Sequence, residues 1–258
     1  AIKREPVCAV YRGLRICGMG PPSSGGITVA QTLLLLERFT MRGYTPGSLE
    51  AVHLISEAER LAFADRNRYI ADADMMSVPV RALTSHGYIE KRAEQILPWK
   101  SMGKAEPGRP WTQQLLNVPA LDTTREIPAT SHMSAVDAAG NAVALTSSIE
   151  NVFGARLFVR GFLLNNQMTD FALKPSDEAG NLAINRVEPG KRPRSSMSPT
   201  IVLDRERRLV MTLGSPGGPR IIPYVVQALV GAIDWRLDMQ RAFDLPHHAN
   251  LNGKTQLE

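Results

Sequence analysis

Thr130 heads the run Thr130-Ser131-His132-Met133-Ser134-Ala135-Val136-Asp137, directly after a loop that ends Pro128-Ala129. A threonine hydroxyl is a weak nucleophile and needs a base beside it. A chain-terminal α-amino group can serve, because its pKa of roughly 7.7–8.0 lies near neutrality. Only cleavage of the peptide bond before Thr130 would free that amine. The same run also suits an ordinary strand threonine after a proline-containing loop.

Three other segments carry groups that chemistry could use. Gly214-Ser215-Pro216-Gly217-Gly218 follows one apolar run and precedes another. Glycines there let backbone N–H groups point into a pocket and hold a developing oxyanion. The segment also reads as a plain strand-to-helix turn or a phosphate loop, although it lacks the Gly-Lys-Ser/Thr ending of a P-loop. Ser195-Ser196-Met197-Ser198-Pro199 offers hydroxyls and N–H groups that suit a substrate carboxylate, or simple turn chemistry. Gln167 and Asp170, three apart, suit a substrate ammonium or a solvated loop. Pro21-Pro22-Ser23-Ser24-Gly25-Gly26 reads as a structural helix start.

The elements that must position these groups are legible from periodicity. Residues 7–18 read as a hairpin turning at Arg12-Gly13. Residues 27–39 form a buried helix. Residues 48–69 form a second helix, with apolar residues at helical spacing and the charges Glu57, Glu59, Arg60, Asp65 and Arg66 on its remaining face. A third helix covers 85–96. Residues 98–129 show little periodicity and read as a long exposed segment where a chain can be cut. Strands follow at 132–138, 142–148, 162–164 (short and buried), 199–203 and 209–213, then helices at 221–235 and 238–243. Helices, then strands, then helices fit an antiparallel sandwich covered by helices, α-β-β-α in layers.

The chain has 258 residues, 43% hydrophobic and 21% charged, with a net charge of +5. That allows one large domain or two small ones. The charge is basic, yet there is no run of five cations and no interleaving of aromatic with basic residues. Nucleic acid is not indicated as a partner. The apolar stretches are too short for a membrane span. The five histidines show no metal-ligand spacing with acids or thiols, so no metal and no cofactor is expected. His247-His248 reads as loop or core. Cys8 and Cys17 fall opposite each other in the 7–18 hairpin, as a pair that is not hydrogen-bonded and so has close Cα atoms. A disulfide fits an oxidising compartment. Two reduced cysteines side by side are the favoured reading, because a bridge across so short a loop contributes little.

Taken together, the motifs around Thr130, Gln167, Ser195 and Gly217 resemble the γ-glutamyltransferase family of N-terminal-nucleophile hydrolases. The resemblance runs from about residue 11 to residue 248. It implies an αββα sandwich, here an incomplete central portion. Residues 1–129 would be the C-terminal part of the large-subunit region, and 130–258 the N-terminal part of the small, catalytic one. Both subunits would come from one precursor by autocleavage before Thr130. By the same resemblance Thr130 is the nucleophile and Ser148, eighteen positions on, orients it. Gly217 and Gly218 form the oxyanion hole, Ser195 and Ser196 hold the γ-glutamyl α-carboxylate, and Gln167 and Asp170 hold its α-amino group. The donor would be glutathione or another γ-glutamyl amide, and the acceptor water, an amino acid or a peptide. Periplasmic or extracellular localisation is the family's expectation.

Three departures bear on specificity. Glu150 stands where members often have Asn. It suits an ammonium and would repel a carboxylate set slightly differently. The stretch between Asp170 and Ser195 is short and has no aromatic residue after Phe171, so a tyrosine-tipped lid is not expected. The family's large subunit is longer at its N-terminal end, where it supplies a carboxylate-binding arginine that has no counterpart here. A cephalosporin or glutaryl acylase on the same framework, and a non-catalytic unprocessed fragment, are the alternative readings.

Overall fold

The first hairpin sets the register from which the sheet grows. A computed structural model describes residues 2–110, 118–122 and 129–258. Strands β1 (Val7–Tyr11) and β2 (Leu14–Gly18) pair antiparallel around Arg12 and Gly13, whose φ angles of 50° and 83° are those of a two-residue primed turn. Cys8 pairs with Cys17 at a Cα separation of 4.1 Å, and the two are joined by a disulfide. The reduced reading is therefore corrected. The close approach within a pair that is not hydrogen-bonded outweighs the small gain from so short a loop.

Helix α1 (Gly25–Leu36) follows, buried on nearly every side. Its two threonines return their hydroxyls to the carbonyls four residues back, Thr28 to Ser24 at 2.9 Å and Thr32 to Thr28 at 2.8 Å. Helix α2 (Leu49–Tyr69) is capped by the Ser48 side chain, which accepts the Ala51 N–H. The short α3 (Val80–Leu83) and α4 (His86–Ala93) complete this half.

The second half supplies β3 (Thr130–Val136), β4 (Ala142–Ser148) and the two-residue pair β5 (Phe158–Val159) and β6 (Phe162–Leu163). Strands β7 (Thr200–Leu203) and β8 (Leu209–Leu213) add to the first hairpin in the order β1-β2-β7-β8. Helices α5 (Ile221–Ile233) and α6 (Met239–Phe243) and a final pair, β9 (His248–Ala249) with β10 (Gln256–Leu257), close the fold. Helices α1 and α5 and the α2 face that meets them share one core with Tyr11, Ile16, Val202 and Leu213 of the four-stranded sheet. The β3–β4 hairpin packs near β7 and β8, making the second β layer. This is the helix–sheet–sheet part of the sandwich.

Three expectations change. The charges of α2 do not face water: Glu57, Glu59, Arg60, Asp65 and Arg66 are all buried. From Leu54 to Arg66 the helix is buried on every side, so its polar groups pair inside. Arg60 binds Glu57 at 2.9 Å and Arg92 binds Asp65 at 3.2 Å. The described part of 98–129 is correspondingly less exposed than expected. Glu57 accepts the Met102 N–H at 2.7 Å and Asp65 the Gly108 N–H at 2.7 Å, and Ala105, Ala120 and Asp122 are buried. Residues 111–117 and 123–128 of that segment lie outside the described residues. The third change is at 162–164. Phe162 is largely exposed, because β6 pairs only with β5 in a small separate ribbon.

The end of the chain carries a pH response. Burial, then the neighbouring His247, pushes His248 down from 6.5 to about 4. Between those values the unfolded chain binds the proton and the folded one does not. The stability this contributes is full above about 6.5 and lost as pH falls toward 4. Glu59 opposes it: burial raises its pKa well above 4.5, so its contribution is lost as pH rises above that value. Relative to the unsubstituted protein, His248→Leu is expected to lose less unfolding free energy along the limb from pH 6.5 to 4 in urea titrations. An unchanged limb would remove His248 as its source.

Candidate active site

The β3–β4 register puts Thr130 opposite Ser148 at the open end of the hairpin. Both lie on the hairpin's less exposed face, with His132 and Thr146 behind them. The Ser148 hydroxyl donates to the carbonyl oxygen of Ala129 at 2.9 Å, the peptide carbonyl just before Thr130. The Ser148 Oγ in turn accepts the Glu150 N–H at 2.9 Å. His132 is neutral by preference, since burial lowers its pKa. Its Nδ1 lies 2.8 Å from Thr146 Oγ1. The ring occupies the space beside Gly214, where a Cβ would come within 2.3 Å of it.

Glu150 adopts φ +71°. Left-handed backbone costs a non-glycine residue roughly 1–2 kcal/mol. The side chain is buried and accepts from Asn166 Nδ2, while Asn166 Oδ1 accepts the Asn151 N–H at 2.9 Å. These bonds from a second loop hold the strained turn. Gln167 and Asp170 bound a 3₁₀ turn (Gln167–Asp170), where Gln167 Nε2 donates to Asp170 Oδ2 at 2.6 Å. Asp170 is buried and its backbone carbonyl accepts from Asn185 Nδ2 at 2.8 Å.

The Ser195-Ser196 turn is gripped from beneath by residues 21–26, read from the sequence as a helix start alone. Ser24 N–H donates to the Ser195 carbonyl at 2.7 Å and Ser195 N–H to that of Pro22 at 3.0 Å. The Ser24 hydroxyl donates to the Ser195 carbonyl at 2.8 Å, and the Ser23 hydroxyl to that of Met197 at 2.5 Å. From α2, Arg66 reaches Ser24 Oγ at 2.9 Å and Ser196 Oγ at 2.6 Å. One residue before the turn, buried Arg194 pairs with buried Asp122 at 3.0 Å. Arg66, Ser23, Ser24, Asp122 and Arg194 escape a reading of the sequence.

Gly217 and Gly218 take φ +131° and +58°, which explains glycine at both. Gly218 opens the 3₁₀ turn Gly218–Arg220 that leads into α5. Thr130, Ser148, Glu150, Gln167, Asp170, Ser195, Ser196 and Gly218 line one cleft, with Met197 and Ile221. Gly217 lines a larger neighbouring cleft with Arg66 and Arg220. Among the described residues no group of three His, Cys, Asp or Glu side chains could hold a metal ion. His247 stacks on Tyr224 with ring centroids 4.5 Å apart, and His248 is buried in β9. Among the same residues, no helix is long and apolar enough to cross a membrane.

The layering is that of the N-terminal-nucleophile hydrolases. Over 98% of its length the chain superposes on 42% of the cephalosporin acylase of Bacillus halodurans, with a TM-score of 0.80 and 26% identity. The family model described as Gamma-glutamyltranspeptidase matches residues 1–258, and the chain belongs to that family. It is 41% identical to the glutathione hydrolase proenzyme of Escherichia coli strain K12, over all of the chain and 44% of that relative. It is 36% identical to the Acylase ACY 1 proenzyme of Pseudomonas sp. strain SE83, over 99% of the chain and 42% of the relative. The chain thus spans less than half the length of these relatives.

The grip on the serine turn is directly testable. A Cβ on Gly25 would lie 2.2 Å from Ser198 Oγ and 2.5 Å from the Met197 carbonyl oxygen. Gly25→Ala is expected to destabilise by on the order of 1–3 kcal/mol, as overpacking does. A denaturant midpoint equal to that of the unsubstituted protein would show that the turn yields without cost.

Proposed function

We propose that the polypeptide carrying this chain hydrolyses or transfers γ-glutamyl groups, with Thr130 as its nucleophile after self-cleavage of the Ala129–Thr130 bond. The observation that carries the reading is the Ser148 hydroxyl on the Ala129 carbonyl oxygen, within a cleft that also holds Thr130 and Gly218. A donor on that oxygen draws charge from the carbonyl carbon. The Thr130 hydroxyl attacks that carbon, the C–N bond to Thr130 breaks, and the hydroxyl proton passes to the departing nitrogen, which becomes an amine. Water hydrolyses the resulting ester, leaving a carboxylate on Ala129 and a free amine on Thr130.

That amine is the base for turnover. It takes the Thr130 hydroxyl proton as the oxygen attacks the γ-glutamyl carbonyl, and Gly217 and Gly218 N–H groups meet the oxyanion. The leaving amine departs with the proton. Water or an amino-acid or peptide amine then resolves the acyl ester. Ser195 and Ser196 receive the α-carboxylate, and Gln167, Asp170 and Glu150 the α-ammonium. Residues 1–129 and 130–258 fall into the large and small chains of one precursor. The disulfide supports a periplasmic or extracellular site of action.

Intact mass of the full polypeptide is expected to show two chains, the second beginning at Thr130, and Thr130→Ala to remain whole. A Thr130→Ala protein still cut at this bond would sink the assignment.

A second reading, a cephalosporin or glutaryl acylase, is favoured by the likeness to the two acylases. Turnover of γ-glutamyl-p-nitroanilide against its glutaryl analogue separates them. The γ-glutamyl compound is expected to react at least tenfold faster, because the glutaryl group brings no ammonium to Glu150 and Asp170. The reverse order would establish the acylase.

A further inference from the structure

Arg66 stands behind the serine turn and touches it in two ways. Its Nε donates to Ser24 Oγ at 2.9 Å, and Ser24 in turn holds the Ser195 carbonyl at 2.8 Å. Its Nη2 donates to Ser196 Oγ at 2.6 Å. Its Nη1 donates to Asn67 Oδ1 at 3.0 Å, and the guanidinium lies over the Phe63 ring, 5.4 Å from its centre. The group is buried, so the fork has one orientation and its two arms reach hydroxyls from segments 172 residues apart.

We propose that Arg66 is a positioning residue for carboxylate recognition, acting through Ser196. The proposal rests on the reading that Ser196 receives the acyl donor's carboxylate. A serine oxygen has two lone pairs and one O–H. The guanidinium N–H fills one lone pair with a short, charge-assisted bond. A hydroxyl that accepts such a bond is polarised to donate more strongly, and its rotor is restricted. The same arginine braces the Ser195 carbonyl through Ser24, so the two serines keep a fixed relation. A lysine ammonium cannot reproduce the planar two-armed grip.

The test uses the full polypeptide, with cleavage before Thr130 confirmed by mass in each variant. Two donors are compared, γ-glutamyl-p-nitroanilide and 4-aminobutyryl-p-nitroanilide, which lacks the carboxylate. Ser196→Ala and Arg66→Gln are each expected to raise KM for the first donor about tenfold, with kcat within about threefold. The double variant is expected to be no worse than either single one, and Arg66→Lys to fall between. Each is expected to affect the carboxylate-free donor several-fold less than the first. Ser196→Ala with an unchanged KM would defeat the reading of the carboxylate wall itself. A tenfold effect of Ser196→Ala with independent, multiplying effects in the double variant would defeat the Arg66 proposal alone. Equal losses with both donors would do the same. If Arg66→Gln does not accumulate, Arg66→Lys takes its place. Failure of both to fold or to be cut would assign Arg66 to folding or processing and overturn the proposal.

Discussion

A buried charge must find a partner, and on α2 that requirement organises everything around it. Leaving a charged group unpaired in the interior costs several kcal/mol, and several buried polar side chains of this helix pin down segments that would otherwise be loose loops. Glu57 pins the backbone at Met102, Asp65 that at Gly108, and Glu59 that at Asn250. Arg66 ties together the turns at Ser24 and Ser196. The helix acts as a polar spine with loops fastened along it, and one of them, the serine turn, builds one wall of the cleft.

The opposite wall is made by register. A slip of one residue between β3 and β4 would turn Thr130 or Ser148 to the other face. The Asp137-Ala138-Ala139-Gly140-Asn141 turn opposes that slip. Asp137 accepts the N–H groups of Ala139 and Asn141 through one oxygen, and Gly140 supplies φ +83°. At the hairpin's other end the chain leaves β4 through strained Glu150, and the side-chain amide of Asn166 holds that turn closed. Thr130 and Ser148 therefore stay paired because both ends of the hairpin are pinned.

What could be read from the sequence follows the range of the interaction. The turn at Arg12-Gly13, the strand pair that faces Cys8 with Cys17 and the β3–β4 hairpin all depend on residues a few positions apart, and they were legible. That the motifs around Thr130, Gln167, Ser195 and Gly218 meet at one cleft was legible through resemblance, since local pattern alone reads Thr130 as an ordinary strand residue. The burial of the α2 charges was not legible. Helical spacing shows which residues share a face, but not that a helix is covered on every side. The grip of Ser24 and Arg66 on the serine turn joins residues 130 and more positions apart, so local pattern carries no trace of it. The exposed β5–β6 ribbon fails for the converse reason: Phe162 is apolar, but among the described residues it has no layer to pack against.

The cleft lining is electrically divided, and this bears on the choice between the two proposed readings. Glu150 and Asp170 bring carboxylates to it, each already holding an amide donor from Asn166 or Gln167. Ser195 and Ser196 bring hydroxyls, backed by the Arg66 guanidinium. A γ-glutamyl group carries an ammonium and a carboxylate on one carbon and can satisfy both kinds of group at once. A glutaryl group satisfies only the serine turn and leaves two carboxylates facing an acyl chain that offers them no donor. Members with Asn at the position of Glu150 would present one fewer negative charge to such a chain. On the proposed γ-glutamyl reading Glu150 favours donors that bring an ammonium, while the bond its carboxylate accepts from Asn166 also holds the left-handed turn.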